Sequence, residues 1–259
     1  MLVGCNKMKD IKELKFCSKK YIIFDMDGTL IDSIGVWNIT DQKLIEKYGQ
    51  IKVDLSQIQI ERDSFLHSNQ DSDIYLAYCE YLISKYNLVI NNSEELLRKR
   101  WDISNEVLAK DMDFKENVVR FIYELKDLGY TLILATMTTK EQLNVYSRKN
   151  KKMLEKMNIE DVFDLIISKE DVKNKKPHPE IYLKIMEYYD ARCEECLIFE
   201  DSYTGVLAAK NAGVEVINIY DKYADVDRDK INAITDYSVM SYQELIDLLE
   251  IFCKETVNT

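Results

Sequence analysis

Two aspartates, Asp25 and Asp27, directly follow the apolar run YIIF (21–24) and precede Gly28 and Thr29. A short apolar run that ends at turn-forming residues is typical of a buried strand. Carboxylates are costly to remove from water, and a single one is enough to cap the turn that follows. The pair therefore indicates a site that uses negative charge for chemistry or for holding a cation.

Polar residues also stand at the ends of other apolar runs. They are Thr136 and Thr138 at and beyond the end of YTLILAT (130–136), Glu200 and Asp201 at the end of CLIFE (196–200), and Lys175 and Lys176 between FDLIIS (163–168) and CLIFE. In an open parallel sheet, ligands bind beyond the carboxyl ends of the strands. If these runs form one such sheet, carboxylates, hydroxyls and a lysine converge on one edge.

The chain shows the alternation of strands and helices that a parallel sheet requires. The runs that indicate strands are YIIF (21–24), YTLILAT (130–136), FDLIIS (163–168), CLIFE (196–200), VEVINIY (214–220) and, more weakly, DYSVM (236–240). Helical periodicity lies between them, as in 117–129 and 202–213, which end at Gly129 and Gly213. This pattern predicts the α/β class, with a Rossmann-like parallel sheet core flanked by helices.

Residues 35–111 interrupt this alternation. The segments 38–49, 74–86 and 93–110 are amphipathic, and the sequence indicates no convincing strand among them. We therefore expect an inserted all-helical domain after the first strand. The predicted organisation is an N-terminal extension at 1–19, an α/β core formed by 20–34 and 112–259, and a helical insertion at 35–111.

The chemistry of the converging residues favours a metal ion. Acidic residues gathered on one edge repel one another unless a cation lies among them. Oxygen ligands, in a chain with only two histidines, favour Mg²⁺, a hard ion that keeps water ligands and binds phosphate oxygens. A lysine and a hydroxyl beside the ion would face an anion. This combination is typical of phosphoryl transfer, in which metal and lysine neutralise charge while a carboxylate attacks.

The composition argues against several other classes of protein. The 259-residue chain is 46% hydrophobic and 31% charged, with no apolar run long enough to span a bilayer, which is typical of a globular protein. Its net charge of −11 argues against nonspecific binding of nucleic acid. Among six cysteines the only close pair is Cys193 and Cys196, so reduced thiols in a cytoplasmic protein are expected rather than a zinc finger.

Four short segments match the motifs of a known family. FDMDGTL (24–30), LAT (134–136), KKPHPEIY (175–182) and IFEDSYTG (198–205) resemble, in order, the four motifs of the haloacid dehalogenase superfamily. The helical insertion between the first two motifs resembles the C1-type cap of phosphoglycolate phosphatase and β-phosphoglucomutase relatives. The resemblance covers nearly the whole predicted sheet domain.

The resemblance implies a role for each matching residue. Asp25 would be the nucleophile, Asp27 the acid and base, Thr136 a ligand of the phosphoryl oxygens, and Lys176 the charge partner of Asp25. Mg²⁺ would be held by Asp25, the Asp27 carbonyl, Asp201 and, directly or through water, Glu200. Substrate contacts are predicted at Gly28, Thr29, Met137, Thr138 and Arg100. Two alternatives stay open: Lys175 as the active lysine, and the RKR run (98–100) as a solvated helix face.

The resemblance implies a Mg²⁺-dependent phosphatase that acts on a small phosphorylated metabolite. Dehalogenases lack the second aspartate, so Asp27 argues against that activity. The alternative is a phosphosugar mutase like β-phosphoglucomutase, whose relatives carry a cap histidine about where Trp37 lies here. A non-catalytic binding protein is less expected, because all the motif residues are present. We expect a monomer or a weak dimer; the sequence does not reveal the substrate.

Overall fold

The computed structural model describes residues 8–33, 35–69 and 73–257 of the chain. It divides into two compact units, one formed by Met1–Ser33 with Asp113–Thr259 and the other by Ile34–Met112. The first is the α/β unit and the second is the helical unit. Across the described residues, no helix combines the length and the apolar character that a membrane span requires.

The helical unit contains no strand in its described part. Its helices are α1 (Val36–Gly49), α2 (Leu55–Ser68), α3 (Ile74–Tyr86) and α4 (Ser93–Lys110). The side chains of Asp54, Asp73 and Asn92 each accept a backbone N–H in the first turn of α2, α3 and α4, which satisfies donors that have no partner inside a helix. The three predicted helices are confirmed. Helix α2 was not predicted, because its apolar positions do not form a clear stripe along the helix.

The α/β unit is built on one parallel sheet. Its strands are β1 (Tyr21–Phe24), β2 (Thr131–Ala135), β3 (Leu165–Ile167), β4 (Cys196–Glu200), β5 (Glu215–Ile219) and β6 (Tyr237–Val239). They lie in the order β3-β2-β1-β4-β5-β6, and every pair is parallel. The predicted fold class is confirmed. Strands β2 and β4 lie on opposite sides of β1. The carboxyl ends of these three strands therefore border the crevice where such sheets bind ligands.

Helices connect these strands, and one helix follows the last strand. They are α5 (Val118–Asp127), α6 (Lys140–Arg148), α7 (Lys151–Leu154), α8 (Ile159–Val162), α9 (Glu180–Tyr189), α10 (Tyr203–Asn211), α11 (Arg228–Ile234) and α12 (Tyr242–Val257). After α5 and α10 the chain turns at Gly129 and Gly213, with φ of 84° and 74°. Glycine adopts this left-handed region without steric cost, so the two stop positions predicted from the sequence match the observed turns.

Apolar side chains cover both faces of the sheet. On one face Ile23, Ile133 and Ile198 pack with residues of α9 and α10 in a buried cluster. On the other face, Phe24 stacks on Phe199 with ring centroids 4.6 Å apart. An aromatic pair in such contact adds about 0.5–1.5 kcal/mol beyond the area it buries. Successive strand residues such as Ile23 and Phe24 point to opposite faces. Packing on both faces therefore fixes the strand ends, where the polar residues follow.

The segment 8–20 packs against the amino ends of the strands. Leu14 and Phe16 are buried, and the Lys19 ammonium donates to the carbonyls of Glu194 and Cys196. The same ammonium lies 3.0 Å from Glu215 Oε2. The described part of the predicted polar extension is therefore anchored to β4 and β5. Cys193 and Cys196 are free thiols, and Cys5 lies outside the described residues.

Candidate active site

A buried lysine joins two of the predicted acidic residues at the carboxyl ends of the strands. Lys176 Nζ lies 2.7 Å from Asp25 Oδ1 and 2.6 Å from Glu200 Oε1, and it donates to the Ala135 carbonyl at 3.0 Å. Only 5% of the lysine side chain is exposed. The Lys176 ammonium therefore bridges the ends of β1, β2 and β4. Lys175, the alternative considered for this role, is exposed.

The charges around Lys176 keep it protonated. Burial by itself would lower the pKa of Lys176, but Asp25 and Glu200 outweigh it and raise this pKa well above its usual value. Burial raises the pKa of Asp25 from 3.8 to about 7, with Lys176 opposing the shift and Glu200 adding to it. Burial also raises the pKa of Asp201, reinforced by Glu200 and Asp25. One lysine thus leaves the negative charge of this site incompletely balanced.

The three carboxylates form a group that fits a divalent cation. Carboxylate oxygens of Asp25, Glu200 and Asp201 all lie within 4.8 Å of one another. Asp201 Oδ1 accepts a hydrogen bond from the Thr29 hydroxyl. Asp201 Oδ2 is buried and has no hydrogen-bond partner within the described part of the chain. A buried carboxylate oxygen without a donor is costly, and Mg²⁺ binds oxygens of this kind, so the donor set matches such an ion.

Glu200 is held on both of its oxygens. Besides Lys176, the buried Tyr182 hydroxyl donates to Oε1 at 2.8 Å. On the other side, the Asp201 backbone N–H and the Ser202 hydroxyl approach Oε2 at 3.3 and 3.4 Å. Ser202 also accepts from the Gly205 N–H as the N-cap of α10. These contacts fix the carboxylate at the lysine, whereas Asp201 presents a free oxygen.

Hydroxyl groups surround the second aspartate of the first motif. Ser33 and Thr138 donate to the two oxygens of Asp27, and the Tyr146 hydroxyl lies 3.3 Å from Oδ1. Thr136 in turn donates to the Thr138 hydroxyl at 2.9 Å. The carboxylate of Asp27 is therefore oriented by hydroxyls rather than grouped with the three acidic side chains. A metal contact through its backbone carbonyl stays a prediction.

A family model and known proteins match this chain. The model for haloacid dehalogenase-like hydrolase matches residues 22–219, which include the carboxyl ends of all the strands that carry the site. This chain is a haloacid dehalogenase-like hydrolase. The resemblance identified in the sequence and the assignment as an enzyme are thereby confirmed.

Several relatives of this hydrolase carry phosphatase names. A phosphorylated carbohydrates phosphatase of Thermotoga maritima is 32% identical over 197 residues, covering 76% of this chain and 82% of the relative. The pyrophosphatase PpaX of Bacillus mycoides is 24% identical over 198 residues, with 76% and 82% covered. A crystal structure from Thermotoga maritima, provisionally described as a β-phosphoglucomutase, has a TM-score of 0.71 at 24% identity, covering 89% of this chain and 98% of that one. The last comparison shows the shared fold.

The remaining predicted substrate residues of the hydrolase lie in or near the first two motifs. Gly28 adopts φ of 82°, which permits the tight turn after Asp27. The Thr29 hydroxyl is engaged by Asp201, so this side chain supports an acidic residue. Met137 is half-buried and packs on the core cluster. Their contacts to substrate stay predictions.

Arg100 lies in the helical unit. The interpretation of the RKR run (98–100) as a solvated helix face is wrong for this residue. The residue is only 4% exposed, and its guanidinium donates to Asp41 from Nε at 2.6 Å and from Nη2 at 3.1 Å. It also stacks 4.5 Å from the Trp37 ring centroid. Arg100 is therefore not part of a solvated helix face, because Asp41 on α1 binds it inside the unit. A substrate contact stays a prediction that would compete with this ion pair.

Four further side chains of the α/β site were not predicted from the sequence: Ser33, Tyr146, Tyr182 and Asn218. Tyr182 lies within a family motif and Ser33 lies shortly after one. A hydroxyl group so close to acidic motif residues is a sequence signal that indicates a contact with the site. Tyr146 is 119 positions from Asp27, and Asn218 lies in the middle of an apolar run. Neither has a local pattern that predicts its contact.

Replacing Gly205 by Ala is expected to destabilise the protein by about 1–3 kcal/mol and to reduce activity. Helix propensity alone predicts the opposite sign, about 1 kcal/mol of stabilisation. The steric clash is expected to outweigh this gain, because a Cβ at Gly205 would lie 2.0 Å from the Glu200 carboxyl carbon. Glu200 cannot move away freely, since Lys176 and Tyr182 hold its carboxylate. Urea unfolding measures the free energy of unfolding of the variant.

The matched control is Gly129→Ala. A Cβ there meets nothing within 4 Å, and only the positive φ is unfavourable. Its activity is expected to be unchanged. Equal activity losses in the two variants would contradict a specific effect on Glu200.

Proposed function

We propose that this hydrolase is a Mg²⁺-dependent phosphatase that hydrolyses small phosphate monoesters through a phosphoaspartate on Asp25. The observation that carries the proposal is the contact of Lys176 with Asp25 within the group of Asp25, Glu200 and Asp201. In this group Asp201 Oδ2 has no hydrogen-bond partner among the described residues. With a divalent cation among these carboxylates, the ion and Lys176 together would attract a substrate that brings negative charge. The relatives named as phosphatases support the same activity, and the carbohydrate phosphatase name favours phosphorylated carbohydrates as the first substrates to test.

In the first step, a carboxylate oxygen of Asp25 attacks the phosphorus of the monoester. The bond between phosphorus and the leaving oxygen breaks, and Asp27 gives its proton to that oxygen, so an alcohol departs. Lys176 remains beside Asp25 and offsets the charge that gathers on the phosphoryl oxygens. Mg²⁺, when bound by Asp25, Glu200 and Asp201, would supply further positive charge to those oxygens.

In the second step, water attacks the phosphoaspartate. Asp27 now accepts a proton from that water, the bond from phosphorus to Asp25 breaks, and inorganic phosphate leaves. The hydroxyls of Ser33, Thr138 and Tyr146 would keep Asp27 aimed during this exchange of roles. Thr136, at the end of β2, would donate to a phosphoryl oxygen in place of its bond to Thr138.

Phosphate release is expected only when a divalent ion is supplied. The test incubates purified protein with Mg²⁺ and a panel of sugar phosphates, polyol phosphates, nucleotides, phosphoglycolate and pyrophosphate. A parallel sample is dialysed against EDTA and then given Mg²⁺ back. Full activity without any divalent ion would contradict the metal assignment.

A second arm of this test separates hydrolysis from isomerisation. β-Glucose 1-phosphate is supplied without any bisphosphate activator, and both phosphate and glucose 6-phosphate are followed. Phosphate release should exceed isomerisation, because no cap histidine occupies the position of Trp37 to restrain attack by water. Faster formation of glucose 6-phosphate would replace the phosphatase proposal by the mutase.

A further inference from the structure

One buried amide lies directly behind the acidic end of β4. Asn218, on β5 in register with Glu200, is 0% exposed. Its side-chain nitrogen donates to the backbone carbonyls of Glu200 at 3.1 Å and Asp201 at 3.0 Å. A buried polar side chain in a strand is costly unless its hydrogen bonds are made. In Asn218 the amide nitrogen makes these two hydrogen bonds, and the amide oxygen accepts one from Arg228.

Arg228 sets the orientation of this amide. Its Nη1 donates to Asn218 Oδ1 at 2.9 Å, and its Nη2 donates to the Asp221 carbonyl at 2.8 Å. The guanidinium also lies 4.7 Å from the Tyr220 ring centroid. Because arginine can only donate, it must face the amide oxygen. The NH₂ group of Asn218 must then face the two carbonyls of β4.

The hydrogen bond from Asn218 to the Asp201 carbonyl lies beyond the last backbone pair of β4 and β5. The pairing of β4 with β5 stops at Glu200 and Asn218, so Asp201 lies one residue past the last paired position. The Asn218 side chain takes the place of the next ladder donor and holds the Asp201 peptide. That peptide carries the carboxylate with the unpartnered oxygen. A shift of the peptide would move this oxygen relative to Asp25 and Glu200.

We propose that Asn218, oriented by Arg228, is a positioning residue that sets the metal-binding geometry of Glu200 and Asp201. The inference rests on the proposed function in one respect, that these carboxylates hold a divalent ion. Partners that orient metal ligands typically contribute about 10–100-fold to metal affinity. Asn218 acts on the backbone of the ligands, so its effect should appear in ion binding before it appears in substrate binding.

The test measures ion binding without turnover. Free Mn²⁺ is quantified by electron paramagnetic resonance, and Mg²⁺ binding by calorimetry, for wild type and for Asn218→Leu, which keeps the branched shape and removes both amide functions. The dissociation constant of the ion is expected to rise about tenfold or more. In turnover, kcat at saturating Mg²⁺ should largely recover, and the substrate KM at that concentration should stay near wild type.

The matched control is Thr235→Val. Thr235 is buried, and its hydroxyl donates to the carbonyls of Val216 and Tyr237 in the same sheet rather than to any group of the proposed metal site. This variant loses a buried donor to backbone carbonyls, so it reports the effect of destabilisation alone. Its ion affinity is expected to match wild type.

Each outcome decides the inference. Weaker ion binding in Asn218→Leu, with Thr235→Val unaffected, supports it. Wild-type affinity in Asn218→Leu, or equal losses in both variants, overturns it while the proposed function stands. A wild-type protein that binds neither ion overturns the metal site itself. If Asn218→Leu does not fold, ion binding is measured in Arg228→Met instead. Weaker ion binding in that variant supports the positioning role of Asn218, and unchanged binding overturns it.

Discussion

The Asp25→Asn variant is expected to lose turnover by several orders of magnitude while keeping its fold. An amide oxygen cannot form the phosphoaspartate, and removing a nucleophile from a comparable catalytic group costs on the order of 10⁶ in kcat. Phosphate release from the best substrate of the panel, followed at saturating Mg²⁺, measures the loss. Activity within about tenfold of wild type would remove Asp25 from the role of nucleophile.

Stability separates this loss from unfolding. Burial raises the pKa of Asp25, so a neutral amide is easier to bury than the carboxylate, and Lys176 keeps Glu200 as partner. The thermal midpoint of metal-free Asp25→Asn should therefore equal or exceed that of wild type. Asp32→Asn is the matched control, since Asp32 lies in the same segment with an exposed side chain; its activity should be unchanged.

Replacing Lys176 by Met is expected to reduce both activity and stability. The variant leaves the carboxylates of Asp25 and Glu200 buried without their cation, and loss of one partner from a buried ion pair typically costs about 3–5 kcal/mol. Removal of a preorganised electrostatic donor lowers kcat by about 10²–10³. Urea unfolding and phosphate release measure the two effects.

The neighbouring residue provides the control for this variant. Lys175→Met removes the same charge from an exposed position, where substitutions usually change stability by about 0.5 kcal/mol or less. Wild-type behaviour of Lys175→Met beside a defective Lys176→Met would identify the active lysine. The reverse pattern would assign the role to Lys175.

The stability loss in Lys176→Met should depend on pH with a definite sign. The folded-state pKa of Asp25 is already raised from 3.8 to about 7 by burial, and loss of the lysine raises it further. The folded state then binds a proton more readily than the unfolded state, so this contribution to stability falls as pH rises above about 4. The variant should be closest to wild type in acid. A loss that grows towards acid would contradict this account.

Much of the site followed from local sequence patterns. The apolar runs predicted all six strands, because a strand buried on both faces needs an almost continuous apolar segment. A parallel sheet then requires the residues after these runs to share an edge, so the sequence alone predicts that Asp25, Lys176 and Asp201 lie near one another. The family motifs assigned expected roles to the same residues. These roles stay predictions until the variants are measured.

The tertiary structure decided which partner each polar group takes. Arg100 pairs with Asp41 across 59 positions, and the Thr29 hydroxyl reaches Asp201 across 172. Asn218 could not be recognised as a support for β4, since an amide within an apolar run has the same local pattern whether its neighbour is water or a carbonyl. Apolar periodicity is a local property, which the sequence shows directly. Hydrogen bonds between distant segments depend on strand order and register, and those arise only when the whole sheet has formed.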